Sequence, residues 1–372
     1  MKKVLYISTS DIHISFFHIP YLKWLKEKGY EVHLATESRG NFKIPYVDQF
    51  FHLTFPRSPF SLTNYSTLKE LKNIIYENNY DLIHCHNPVP GVLGRIAANQ
   101  SRKKGTSVLY TVHGYHFYKG APIKNWIIYF PVEFLLSKIT DGIITMNHED
   151  YNLSKNKMLN KSSYLIPGMG VDPNKYKPVS KTRKDSLRKK YGYHTDEIIL
   201  LYIAEFIPRK NHKLVLLALS ELKNQFPELK MLFAGKGITM NEIKTSARKL
   251  GLENMIDFLG FRSDIPDIIH ISDVGISTSK HEGLPIGILQ EMFCELPVVA
   301  SIERGHNELI DSGINGFLFP QNDLKRLVES LQILLKDQKR RIEMGRKSLE
   351  KAQMFSLINS LRSMAEIYKL YN

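Results

Sequence analysis

The stretch Ser279-Lys280-His281-Glu282-Gly283-Leu284-Pro285-Ile286-Gly287-Ile288-Leu289-Gln290-Glu291-Met292-Phe293-Cys294-Glu295-Leu296-Pro297-Val298-Val299-Ala300 decides the fold. The apolar run before it, Asp273 to Ser277, reads as a buried parallel strand. The chain then turns at Glu282-Gly283 and enters a helix with Pro285 in its first turn, where proline's fixed φ fits and its missing amide hydrogen costs nothing. The helix is predicted to end near Glu295, and a second buried strand follows from Pro297 to Ala300. Strand, turn, helix, strand is the unit of doubly wound α/β sheets, in which ligands sit at the carboxyl ends of the strands. The free amides at the helix start make an anion site suited to a diphosphate.

Working outward, the same alternation runs through the chain. Val4 to Ser8 reads as a strand, followed by a polar turn carrying Asp11 and His13, a helix with Ile19, Leu22, Trp24 and Leu25, and a second strand from Val32 to Thr36. Thr63 to Asn78 has helical spacing of Leu68, Leu71, Ile74 and Ile75. Asp81 to His84 reads as a strand running into Cys85 and His86; the two histidines are taken to face opposite sides, so no shared metal is expected. Val108 to Thr111 is a further strand, leading to His113 and His116, and Gly142 to Thr145 and Tyr164 to Ile166 supply the last strands of this half. Between them, Trp126 to Leu136 is dense in aromatics and edged by Lys119, Lys124 and Lys138. Such a helix can lie on lipid headgroups, but Pro131 breaks its pattern, and packing on the sheet is the preferred reading.

The second half begins after a basic segment. Lys175 to Tyr191 holds eight basic residues and one acid, which reads as an exposed linker. Strands follow at Ile198 to Ile203, Lys230 to Ala234 and Ile256 to Leu259, and Phe355 to Tyr371 forms a last amphipathic helix. The expected organisation is α/β: a Rossmann-like domain over 1–170, a basic linker over 171–195, a second Rossmann-like domain over 196–355, and a final helix, 356–372, packing back on the first domain.

Composition bounds the function classes. The 372 residues are 43% hydrophobic and 24% charged, enough for two globular domains. The two cysteines fall in core-like runs, which argues for a reducing compartment and a cytoplasmic location. No apolar run reaches the length of a membrane span. The net charge is +14, spread as +8 over residues 1–170 and +6 over the rest. That balance suits a solvated surface or an anionic lipid face. No zinc-finger spacing or aromatic-basic RNA motif is present, so no nucleic-acid partner is expected.

The Glu282 stretch resembles the Glu-x7-Glu region of family 4 glycosyltransferases, retaining enzymes of GT-B fold in which two Rossmann-like domains face one another across a cleft. The chain is closest in pattern to the capsular and exopolysaccharide branch. In that family the first glutamate reaches the donor sugar and the second takes the ribose hydroxyls. Here Glu282 fills the first position, and Gln290, uncharged, fills the second. The resemblance implies that Gly283, Leu284 and Pro285 line the diphosphate site, with Glu308 receiving a ribose hydroxyl. Thr111-Val112-His113 matches Thr-x-His, which would set His113 beside the donor sugar. In the segment Gly-Arg-Leu-x-x-x-Lys-Gly, Lys210 matches the lysine while Glu205 stands where arginine is expected, so the phosphate clamp would rest on Lys210, Arg209 and helix amides. Gly235 and Gly237 match Gly-x-Gly, and Arg262 belongs to the loop that cradles the base. Asp11, His13, His86 and His116 are the candidate acceptor contacts. Glu282, His113 and Lys210 would carry catalysis.

The resemblance further implies a nucleotide-sugar donor, with UDP favoured, and an undecaprenyl diphosphate-linked saccharide acceptor. It implies no cofactor and no metal, consistent with the lack of Asp-x-Asp, and a protein peripheral to an anionic inner leaflet. A GT-B sugar-nucleotide epimerase or a non-catalytic nucleotide-sugar-binding protein are the alternatives.

Overall fold

The computed structural model describes residues 1–56, 58 and 60–371. Two compact units divide the chain: unit 1 is Met1–Met169 with the tail from Asn359, and unit 2 is Gly170–Ile358.

Unit 1 is built on seven strands: β1 (Lys3–Ser10), β2 (Glu31–Glu37), β3 (Gln49–His52), β4 (Leu82–His86), β5 (Ser107–Thr111), β6 (Gly142–Thr145) and β7 (Ser162–Leu165). They pair in the order β3-β2-β1-β4-β5-β6-β7 with every ladder parallel. Unit 2 adds β8 (Ile198–Ile203), β9 (Leu229–Ala234), β10 (Ile256–Gly260), β11 (Val274–Ser277), β12 (Val298–Ser301) and β13 (Gly316–Phe319), ordered β10-β9-β8-β11-β12-β13 and again parallel throughout. Parallel sheets need cover on both faces, which is why these strands are continuous apolar runs such as Val4-Leu5-Tyr6-Ile7 and Leu200-Leu201-Tyr202. In each sheet the order reverses once, between β1 and β4 and between β8 and β11. Loops leaving strands on either side of such a reversal open a crevice, the place where α/β sheets bind ligands.

The α/β expectation is therefore met, with three corrections. Strand β3, Gln49-Phe-Phe-His52, escapes sequence reading because it is a four-residue edge strand, half exposed, with no run long enough to show a period. Strand β4 extends to His86, two residues past its expected end.

The third correction concerns the basic linker over 171–195, which is part of unit 2 instead. Lys181–Tyr191 is a helix, opened by Ser180, whose Oγ accepts from Arg183 N at 3.2 Å, and closed by Gly192 at φ 83°. Its Leu187 and Arg188 are buried. Lys184 Nζ and the Arg188 guanidinium reach Asp273 at 2.7 and 2.5 Å.

The final helix is Leu357–Leu370. From Asn359 on it belongs to unit 1, where Ser360 Oγ donates to the Pro167 carbonyl at 3.0 Å and Tyr368 Oη lies 2.8 Å from His84 Nδ1. Among the described residues no helix is long and apolar enough to cross a membrane.

Candidate functional site

In unit 2 the reversal brings together the loop after β8 and the loop after β11. The first passes through a short 3-10 turn, Pro208–Lys210, and Asn211 then takes the left-handed conformation at φ 50° before the helix His212–Leu222. Asparagine tolerates that region, and it stands where the resembling family has glycine. Thr278 Oγ1, from the end of β11, donates to the carbonyls of Lys210 and Asn211 at 3.0 and 2.9 Å, tying the two loops together.

Glu282 is the centre of this arrangement. Its carboxylate is 10% exposed, and Oε1 meets Lys210 Nζ while Oε2 lies 2.9 Å from the Arg209 guanidinium. Ser279 Oγ donates to Oε1 at 2.5 Å. Burial pushes the carboxyl up, but the Lys210 ammonium and the Arg209 guanidinium outweigh it and hold the pKa at about 2. Glu282 is ionised, and both cations expected to clamp phosphate are engaged with it.

Backbone contacts fix Glu282 as firmly as its side chain does. Its N–H donates to Glu303 Oε2 at 2.6 Å, and its carbonyl accepts from Arg304 Nε at 3.0 Å. Gly305 lies so close that a Cβ there would stand 3.0 Å from Glu282 Cβ. Ser279, Glu303 and Arg304 are not among the residues expected from sequence, because nothing in the spacing of Glu303-Arg-Gly-His-Asn-Glu308 shows that it wraps Glu282.

The helix of the opening stretch runs Ile286–Phe293 with Pro285 at its N-cap, so Gly283 and Leu284 form the loop before it and the Ile286 amide is its first free donor. Gln290 is half-buried on this helix, whereas Glu291, one step of about 100° away, is buried. Gly235 and Gly237 are required by close approach: a Cβ at Gly235 would lie 1.9 Å from the Ala204 carbonyl oxygen, and one at Gly237 2.3 Å from that of Phe206. They hold the β8 loop against β9.

Arg262 and Glu308 have these surroundings. Arg262 is paired with Asp264 at 2.5 and 2.8 Å and lies over the Tyr191 ring, so its guanidinium is already occupied. Glu308 sits near the end of the helix Arg304–Leu309, and its start belongs to Glu303, whose carboxylate caps the His306 amide. Glu205, in the place of the family arginine, is exposed.

In unit 1 the reversal lies between the loop after β1 and the end of β4. His84 and His86 share a face, with ring centroids 4.1 Å apart. This corrects the expectation of opposite faces: a strand's two-residue period puts i and i+2 on one side. His84 is satisfied by Tyr368 and by Thr111 Oγ1, at 2.8 Å each. His86 stacks on Tyr6 at 4.4 Å and neither of its buried nitrogens has a partner among the described residues. His13, His18 and His113 adjoin it. Burial drives the imidazoles of His86, His18 and His113 well below their ordinary pKa and that of His13 to about 4, so all are neutral at pH 7. Asn87, next in the chain, is held at φ 66°, with its Oδ1 accepting from Ser8 Oγ and Thr9 N at 3.0 and 3.2 Å. Strain of this kind concentrates at functional sites.

Two acceptor candidates have other contacts. Asp11 is buried, and its carboxylate accepts from the amides of Ile12, Arg39, Gly40 and Phe42 at 2.8 to 3.0 Å. Burial pushes it up and those amides outweigh the push, leaving it ionised as a staple for residues 39–42. The His116 ring packs 4.9 Å from Tyr129 of the helix Ile123–Ser137. His18, missed from sequence, joins the cluster instead.

Two all-parallel α/β sheets, each with polar and charged side chains gathered at its strand ends, make this a GT-B protein. Solved structures agree: the Anabaena protein Alr3699/HepE, crystallised with UDP and glucose, matches over 99% of this chain and 100% of its own with TM-score 0.82 at 21% identity. A sucrose-phosphate synthase of Thermosynechococcus elongatus matches over 100% of this chain and 99% of its own with TM-score 0.83 at 19% identity. The model for glycosyl transferases group 1 matches residues 183–351, and that described as glycosyl transferase 4-like matches residues 3–147. EpsD of Bacillus subtilis (strain 168), itself a glycosyltransferase by inference, is 41% identical over all of this chain and 97% of its own. The Escherichia coli UDP-Gal:alpha-D-GlcNAc-diphosphoundecaprenol alpha-1,3-galactosyltransferase is 27% identical over 82% of this chain and 80% of its own. The chain belongs to the family 4 glycosyltransferases.

Proposed function

We propose that this glycosyltransferase moves a sugar, with retention of configuration, from a UDP-sugar to a lipid-linked saccharide in capsular or exopolysaccharide synthesis. The observation that carries the reading is the grip of Lys210 and Arg209 on Glu282 at the reversal point of the unit 2 sheet. A bound donor brings a diphosphate to these same cations and to the free amides from Ile286 on. Phosphate then shares Lys210 and Arg209 with Glu282, and the carboxylate is left free to turn one oxygen toward a hydroxyl of the donor sugar. As the sugar–oxygen bond breaks, negative charge grows on the leaving diphosphate, where the two cations and the amides stabilise it without requiring a metal ion. His113 of unit 1, neutral and with a buried nitrogen that has no partner among the described residues, is a candidate for a hydrogen bond to a sugar hydroxyl. His13 and His86 are the remaining unit 1 candidates for the acceptor, and Gln290 for the ribose.

Support for a lipid-linked acceptor comes from the E. coli relative's own acceptor and from the surface of unit 1. On the helix Ile123–Ser137, Ile123, Ile127 and Leu135 are 76, 69 and 61% exposed, an apolar face beside Lys119, Lys124 and Lys138. Its other side packs Trp126, Phe130 and Phe134 on the core. An exposed apolar face of this kind with a basic edge suits an anionic bilayer surface.

The test is Glu282→Ala with a panel of UDP-sugars. Transfer should fall by at least about 100-fold, while UDP still raises the melting temperature as it does in the parent protein. A variant that transfers as well as its parent overturns the role of Glu282. Greater stabilisation by GDP or ADP than by UDP overturns the uridine assignment.

A further inference from the structure

The histidines at the strand ends of unit 1 exceed what the proposed transfer uses. One nitrogen from each of His13, His18 and His113 lies within 4.8 Å of the others. His13 Nδ1 and His18 Nε2 are 3.1 Å apart, close to the spacing of two ligands on one ion with metal–nitrogen bonds of about 2.0–2.1 Å. His18 is fully buried, and its other nitrogen, Nδ1, stands 2.8 Å from Tyr6 Oη. That is how ligating imidazoles are held, one nitrogen fixed by an outer partner and the other presented to the ion. His113 Nε2 is buried with no partner among the described residues, an arrangement that packing alone leaves unexplained because an orphaned polar atom is destabilising. Burial also keeps the three rings neutral, the form that coordinates.

We infer that His13, His18 and His113 form a site for a first-row transition ion of the Zn2+ class, and that the bound ion competes with the sugar groups proposed for His13 and His113. Three neutral nitrogens without a carboxylate favour Zn2+, Co2+, Ni2+ or Cu2+ over Mg2+ or Ca2+. Three protein ligands leave a position open, as in sites that exchange ligands. Binding replaces the His13–His18 hydrogen bond with two metal–nitrogen bonds. The binding half stands on this geometry alone; the competition half rests on the transferase reading.

Metal-stripped protein titrated with Co2+ should develop visible absorption saturating at one ion per chain and displaced by Zn2+. His18→Ala should weaken binding by about 100-fold and Tyr6→Phe by about tenfold; the latter keeps a near-isosteric ring should the former fail to fold. His52→Ala, at an exposed residue outside the cluster, should bind as the parent does. Zn2+ at saturation should suppress sugar transfer, and EDTA should restore it. Equal Co2+ affinity in the parent and in Tyr6→Phe and His18→Ala overturns the site. Undiminished transfer at saturating Zn2+ overturns the competition. Saturable Co2+ binding in a protein that transfers no sugar supports the metal site while refuting the transferase reading.

Discussion

Gln290 and Glu291 are neighbours in sequence with opposite surroundings. Gln290 is half-buried, and Glu291 is 1% exposed, its Oε2 buried without a partner among the described residues. Gly275 makes the room: a Cβ there would meet Glu291 Oε2 at 2.2 Å. Burial raises the Glu291 pKa well above its ordinary 4.5. Below about pH 4.5 both folded and unfolded chains hold the proton; above it the unfolded chain releases the proton while the folded one keeps it, so stability falls as pH rises toward the folded value. Glu291→Gln removes that dependence. Urea melts should show the variant gaining on its parent between pH 5 and pH 8 and nearly matching it at pH 4; an unchanged difference across that range would refute the buried neutral acid. The sequence shows that Gln290 and Glu291 lie on different helix faces, because the step of a helix is fixed. It does not show that a strand glycine waits opposite Glu291, because that pairing is set by packing.

At the scale of elements, the helix Lys181–Tyr191 is the instructive case. Its composition reads as a solvated linker because its charges are unmatched locally, but the matching acid, Asp273, is 85 residues from Arg188. Arg188 also donates to the carbonyls of Ile271, Thr195 and Glu197 at 2.9 to 3.0 Å, and its guanidinium is 4% exposed. Removing Arg188 leaves Asp273 with Lys184 as its remaining cation and takes the donor from three carbonyls. Arg188→Ala should therefore cost about 3 kcal/mol or more, measured by denaturant unfolding, and a cost under about 1 kcal/mol would return the segment to the surface role read from its composition. The converse holds for β1, β4, β5, β8 and β11, whose apolar runs are long enough to be legible alone.

For the whole molecule, the chain's two ends meet in unit 1. Tyr368 is 1% exposed, stacks on Trp24 at 5.7 Å, and satisfies His84 Nδ1 on β4. Tyr368→Ala should destabilise unit 1 by about 3–5 kcal/mol, and Tyr368→Phe, which keeps the ring and strands the imidazole nitrogen, by about 1–3 kcal/mol. Amide exchange in β1 and β4 should accelerate in that order; equal exchange in all three proteins would show that the tail does not support the sheet. The sequence by itself determined the alternation of strand and helix, the parallel sheets and the stretch bearing Glu282, because burial on both faces and helix-start chemistry are written in short, contiguous runs. Only the tertiary structure decided that Lys210 and Arg209 close on Glu282, that Glu303 and Arg304 hold its backbone, that Asp11 is a loop staple, and that His18 joins His13, His86 and His113. Those contacts join residues on different strand-end loops, and their distances are fixed by the order in which strands pair, which no local pattern records.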